Sequence, residues 1–275
     1  MRLPRPAAIL AAILVLLVPP VGMFAAAQPA SADELPVNLF TGRGFDACAA
    51  PSLTTMRRWA RHSPYGAAGI YFGGINRACA QPRLTPDWVA SVDRMGWRLL
   101  PLYAGLQAPC RKGGHRLRRI DPAQARDQGR DQAADAVSRA DALGLDQGSA
   151  LYLDMENYPR GNARCTRAVL DFVVGWTVEI QDSGYWAGFY SSADSGIADL
   201  AAARRAGLGP LPDALWYAHW NGRARTSKAK HLSPQAWSDH QRVHQYRGNV
   251  RESYGGAALT VDRNAVDSAV AVVRY

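Results

Sequence analysis

An α/β chain closing into a single (β/α)8 TIM-type barrel is the fold this sequence predicts, and three observations predict it. Short apolar runs recur along the chain, most of them followed by a helical stretch, with no internal repeat at a solenoid period. The stretch 33–275 has the size of one barrel domain, about 250 residues. Several runs end in an acid or an aromatic residue, and barrels carry their functional side chains at strand C-termini. A doubly wound open sheet is the competitor. It would carry a Gly-rich phosphate loop after its first strand, whereas Gly42-Arg43-Gly44 precedes the strand end and lacks the third glycine.

The first strand covers 39–46 and ends Gly44-Phe45-Asp46; Ser52 then caps a helix over 53–61. Ala68 to Phe72 is the second strand, closed by Gly73-Gly74. Thr85 caps a helix that opens on Pro86 and runs to Met95, stopped by Gly96. A third strand, 98–103, leads through a loop holding Cys110 to a helix over 122–143, in which Ala125, Ala133, Ala136 and Ala140 form an apolar stripe. The fourth strand is Ala150-Leu151-Tyr152-Leu153-Asp154-Met155-Glu156. Helix 166–181, strand 186–190, helix 195–205 and strand 214–220 follow. A short helix near 234–238 precedes strand 242–246, and strand 259–262 with helix 264–272 completes eight strands. Right-handed crossovers favour a parallel arrangement.

The N-terminus reads as a secretory signal peptide over 1–32. Arg2 and Arg5 are its basic region, Ala7 to Leu17 its apolar region, and Ala30-Ser31-Ala32 its cleavage site. Pro19 and Pro20 break the run before it reaches the length of a membrane span, so no stable membrane insertion is expected after cleavage. The 32 Lys and Arg against 23 Asp and Glu make the chain basic, and Arg2 and Arg5 are the only charges removed. A basic exported protein is drawn to anionic polymers such as phosphate-bearing wall glycans. Nucleic acid is not expected, because no recognition motif and no basic stretch with interleaved aromatics is present. The densest basic run, Arg111-Lys112 to Arg118-Arg119, reads as a solvated loop. Cys48, Cys79, Cys110 and Cys165 all survive cleavage, and an even number in an exported chain implies two disulfides, with three pairings open.

On a strand, the i, i+2 spacing of Asp154 and Glu156 puts both acids on one face and sends Leu151, Leu153 and Met155 to the other. Alone, an Asp-x-Glu reads as an ordinary solvated or Arg-paired strand end. In a barrel it acquires company: Asp46 ends the first strand and Asp262 the eighth, neighbours in the closed sheet, with the fourth strand across the mouth. Carboxyls that converge raise one another's pKa and leave one protonated, the requirement for acid catalysis at a glycosidic bond. Tyr71, Tyr103, Tyr158, Tyr190, Trp216, Trp220 and Tyr246 gather at the same end, and sugar rings stack on such side chains. Other chemistries fit less well. His240 and His244 have zinc-helix spacing, but Gln241 stands where the metalloprotease base belongs, and Ser191-Ser192 lacks the nucleophile elbow. No metal and no cofactor is called for.

Gly44-Phe45-Asp46-Ala47-Cys48, Tyr71-Phe72-Gly73-Gly74, Gly105-Leu106-Gln107-Ala108-Pro109-Cys110, Tyr152-Leu153-Asp154-Met155-Glu156, Trp216-Tyr217-Ala218-His219-Trp220 and His244-Gln245-Tyr246 together resemble a bacterial glycoside-hydrolase-like family, long catalogued as domain of unknown function 1906. That family is similar to the family 25 glycoside hydrolases, muramidases built on a (β/α)8-type barrel. The resemblance runs from about Gly44 to Asp267. It implies that Glu156 is the catalytic acid, that Asp154 supports the reacting N-acetyl group, and that Asp46 and Asp262 line the same pocket. Gln245 and Tyr246 look like the end of the family's Trp-Gln-Tyr strand, with His244 in place of the Trp. Tyr71, Tyr103, Tyr190, Trp216, Trp220, Gln245 and Tyr246 are the expected substrate contacts. Cys48–Cys79 and Cys110–Cys165 is the expected disulfide pairing, each joining successive βα loops at the same barrel mouth. The expected protein is secreted or envelope-associated and hydrolyses peptidoglycan or a related cell-envelope polysaccharide. The alternatives are a non-catalytic glycan-binding or wall accessory protein, and a structural secreted barrel.

Overall fold

The structure, a computed structural model, describes residues 1, 37–114 and 116–275. The signal peptide expected over 1–32 falls, but for Met1, outside them. Strands β1 (Leu39–Asp46), β2 (Ala67–Gly73), β3 (Arg98–Tyr103), β4 (Ala150–Asp154), β5 (Trp186–Ser192), β6 (Ala214–Ala218), β7 (Gln241–Tyr254) and β8 (Ala257–Ala269) close in sequence order into a barrel. Helices α1 (Leu53–His62), α2 (Pro86–Arg94), α3 (Ala125–Ala142), α4 (Ala163–Asp182) and α5 (Gly196–Arg205) occupy the crossovers between β1 and β6. Ser52 and Thr85 cap α1 and α2 as their sequences require, accepting from Thr55 N and Trp88 N. Asn162 caps α4 through Cys165 N, which starts that helix three residues before the expected position.

The barrel departs from the all-parallel expectation in its last third. β1 to β7 run parallel, whereas β8 is antiparallel to both β7 and β1. The segment expected as helix 264–272 is instead strand through Ala269, and 234–238 is a turn rather than a helix. The physical reason lies in two features of the sequence. Gly255 and Gly256 take φ of 56° and 76°, the two left-handed residues of a tight hairpin between β7 and β8. Beyond them Asp262, Asn264, Val266 and Ser268 alternate with Arg263, Ala265 and Asp267, a period of two rather than 3.6.

Strand alternation sorts the core into two layers. Ala67, Leu100, Leu102, Tyr152, Trp216 and Val266 fill the barrel interior. Leu99, Leu151, Leu153, Met155, Phe172 and Trp176 pack between barrel and helices. Neighbouring helices α3 and α4 approach closely at two glycines. A Cβ on Gly129 would lie 2.1 Å from Phe172 O, and one on Gly175 would lie 2.1 Å from Arg126 O. Both clashes are with backbone, which cannot rotate away. Gly129→Ala is therefore expected to destabilise the protein by about 2–3 kcal/mol, read as a lower denaturation midpoint in urea; an unchanged midpoint would mean that the helices separate freely.

Candidate active site

Asp46 closes β1 and sits directly opposite Asp262 in the β1–β8 ladder. Antiparallel β8 thus sets the two acids side by side. Across the mouth Asp154 closes β4. The ladder continues one residue further through Met155 N donating to Tyr190 O at 2.9 Å, which preserves the alternation and turns Glu156 to the same side as Asp154. All four acids line one cleft of about 380 Å³, together with Tyr71, Asn76, Gln107, Arg111 and Asn249. Cys48 and Cys79 are in its wall. The disulfides are Cys48–Cys79 and Cys110–Cys165, with Cα separations of 5.7 and 5.8 Å.

The acids differ in their surroundings. Asp46 is buried and accepts from Asn264 Nδ2 at 2.7 Å, Gln245 Nε2 at 3.2 Å and Tyr71 Oη at 3.4 Å. Burial, then the charge of Asp262, pushes its pKa up to about 7 against the donors' opposing pull. Asp154 is also buried, and its Oδ1 finds no hydrogen-bond partner among the described residues. Burial and then the charge of Glu156 hold it well above the usual carboxyl range. Asp262 accepts from Asn249 N at 2.6 Å and is raised by burial and by Glu156. Glu156 reaches into solvent, its side chain 47% exposed, with Arg111 Nη1 3.5 Å from Oε2.

Gln107, whose place in the motif had no assigned role, fixes the Asp154–Glu156 turn. Its Nε2 donates to Asp154 O at 2.8 Å and its Oε1 accepts from Glu156 N at 2.9 Å. Gln107→Ala strands two backbone groups in a buried site, at a cost of about 2 kcal/mol, and lets Glu156 swing. A melting temperature equal to wild type would contradict that role. Asn264 was hidden inside the expected helix. It is fully buried and links Asp46 to Trp216, whose Nε1 donates to its Oδ1 at 2.9 Å.

The expected contact residues divide. Tyr71 lines the cleft. Gln245 and Tyr190 are buried behind the lining residues, Gln245 Nε2 donating to Asp46 and Tyr190 Oη to Gln245 Oε1 at 3.2 Å. Trp220 stands exposed above, its Nε1 on the same oxygen at 3.0 Å. Trp216 is completely buried in the barrel interior, so it supports Asn264 and has no free face for a sugar. Tyr103 and Tyr246 are corrected outright. Leu100 and Leu102 point inward, so Tyr103 points to the helices and donates to Asp135 Oδ2 at 2.6 Å. Gln245 takes the inward place on β7, which sends Tyr246 outward beside His244. His244 itself stacks on Tyr217 at 4.4 Å, with Nδ1 and Nε2 facing the carbonyls of Arg225 and His219. His240 pairs with Asp267 instead, at 2.6 Å. Among the described residues no group of three or more His, Cys, Asp or Glu is arranged to hold a metal, and no helix is long and apolar enough to cross a membrane.

Several solved structures are similar to this one. The Mycobacterium tuberculosis Tat-secreted protein Rv2525c, crystallised in complex with L-tartrate, is 16% identical, with TM-score 0.56 over 82% of this chain and 96% of that one. An uncharacterized B. stearothermophilus protein is 18% identical, with TM-score 0.51 over 82% and 95%. The catalytic domain of endolysin ply40 from bacteriophage P40 of Listeria monocytogenes is 15% identical, with TM-score 0.48 over 83% and 94%. Among curated proteins, none matches the sequence. The model of the Rv2525c-like, glycoside hydrolase-like domain matches residues 57–266, from α1 through most of β8, and the chain belongs to that family.

Proposed function

We propose that this protein is an exported glycoside hydrolase that cuts peptidoglycan or a related cell-envelope glycan at the barrel mouth. One observation carries the reading: Asp46, Asp154, Glu156 and Asp262, brought together from β1, β4 and β8, line a single cleft. Asp154 and Glu156 act as a pair on one side of the β4 end. With the proton on Glu156, Asp154 is the anion. Glu156 then protonates the departing glycosidic oxygen while Asp154 stabilises the positive charge that develops at the anomeric carbon. Water completes the cleavage and returns a proton to Glu156. Two disulfides beside the cleft accord with an oxidising compartment outside the cytoplasm.

One contact favours the second reading, a glycan-binding wall accessory protein: the Arg111 guanidinium lies against Glu156 where a leaving oxygen would come. Chemical-shift mapping with soluble N-acetylated oligosaccharides tests what both share. Saturable shifts are expected at Tyr71, Gln107 and Trp220; shifts confined to residues outside the cleft would overturn both.

A further inference from the structure

The cleft does not end at the acids. Asn76, Ala78, Arg111 and Leu117 belong both to its wall and to that of an adjoining hollow of about 500 Å³. Arg77, Arg111, Lys112 and Arg116 line this hollow, and among the described residues no carboxylate does. Of these four cations only Arg111 has an acidic partner among the described residues. The hollow is also built rather than draped. The loop after β2 is tied by Cys79 to Cys48, and the loop after β3 by Cys110 to Cys165. Asn76 joins the two loops, donating to Gly105 O and Arg118 O at 2.8 Å each and accepting from Arg118 N at 2.9 Å. Arg119 braces the turn from behind, with Nε on Arg111 O at 3.0 Å and Nη2 on Gly113 O at 2.6 Å. Arg111 Nε is buried with no partner among the described residues. The basic run that reads from sequence as a solvated loop is therefore a held array of like charges. Such an array is stable only through its loop ties and is relieved by an anion, which fixed guanidinium groups bind in charge-assisted hydrogen bonds.

We propose that this hollow is a subsite for an oxyanion, carboxylate or phosphate, carried as a substituent on the glycan whose backbone lies at the four acids. The inference rests on the cleft being the glycan site, and it names the substrate class more narrowly: an anionic glycan rather than a neutral one. Acids at the cutting point and cations beside it suit a strand whose charge is on its side groups, not at the scissile bond.

The test is calorimetric titration of the disulfide-intact protein with three oligosaccharides of equal length. One is neutral N-acetylglucosamine oligomer, one carries lactyl carboxylates, and one carries 6-phosphates. At least one anionic probe is expected to bind roughly tenfold more tightly than the neutral one, with the two arms telling carboxylate from phosphate. That advantage is expected to vanish in K112Q/R116Q, to shrink in R77Q, and to fall in 0.5 M salt while neutral binding holds. Lys112 and Arg116 are exposed loop residues, so the double variant keeps the fold. Neutral binding with no anionic advantage, or an advantage that K112Q/R116Q leaves intact, overturns the subsite alone. Binding of none of the three overturns the glycan cleft and the subsite with it.

Discussion

At pH 8 the Asp46→Asn protein is expected to be more stable than wild type, by on the order of 4 kcal/mol, and at about pH 3, below the unfolded-state value, the two should nearly coincide. Asp46 has its pKa raised from 3.8 to about 7 in the folded protein, by burial and then by Asp262. Between those values the native state keeps a proton that the unfolded chain has released. Raising the pH through this window strips that proton and creates a buried charge, so native stability falls and the loss is complete above pH 7. Asparagine removes the ionisation and keeps the contacts: its carbonyl oxygen accepts from Asn264 and Gln245, and its amide faces the Tyr71 hydroxyl. Asp154 is raised for the same reason and steepens the wild-type curve in the same direction. Urea midpoints measured from pH 3 to pH 8 decide it. Parallel curves for wild type and D46N would mean that Asp46 ionises freely in the folded state.

Glu156→Gln is expected to lower turnover of wall glycan by roughly 10²–10⁴ and to leave the fold intact. The side chain is half exposed and its one ion pair, to Arg111, is long, so its loss costs less than about 1 kcal/mol. Gln107 still holds the backbone of residue 156 through its amide. Activity and stability therefore separate at this position, which a residue with a merely structural role would not allow. Near-wild-type rates in a folded Glu156→Gln protein would remove Glu156 from the chemistry.

The sequence carried the first two thirds of the barrel closely, because each strand there is followed by a helix and three of those helices, α1, α2 and α4, start at a local side-chain cap. Ser52, Thr85 and Pro86 announce their helices without help from the rest of the chain. The last third was misread through analogy with the earlier crossovers. The Gly255-Gly256 pair and the period-two run from Asp262 to Ser268 signal a hairpin, against the helix expected over 264–272. That error concealed Asn264, the residue that fixes Asp46. The four acids were legible because each closes a short apolar run, a feature of linear order, although Asp262 lies within β8 rather than at its end. Tyr103 and Tyr246 were misplaced although their parity was available: Asp154 and Gln245 are inward residues, and counting by twos from Leu102 or Gln245 sends both tyrosines out. The Arg111–Glu156 contact had no local signal, since 45 residues separate its partners.

Release of new reducing ends from purified peptidoglycan, followed over time for wild type beside Glu156→Gln at equal concentration and neutral pH, tests the central claim most directly. A steady rise for wild type and a flat trace for the variant is the predicted result. A flat trace for both, or the same rise for both, would contradict a glycoside hydrolase that works through the Asp154–Glu156 pair.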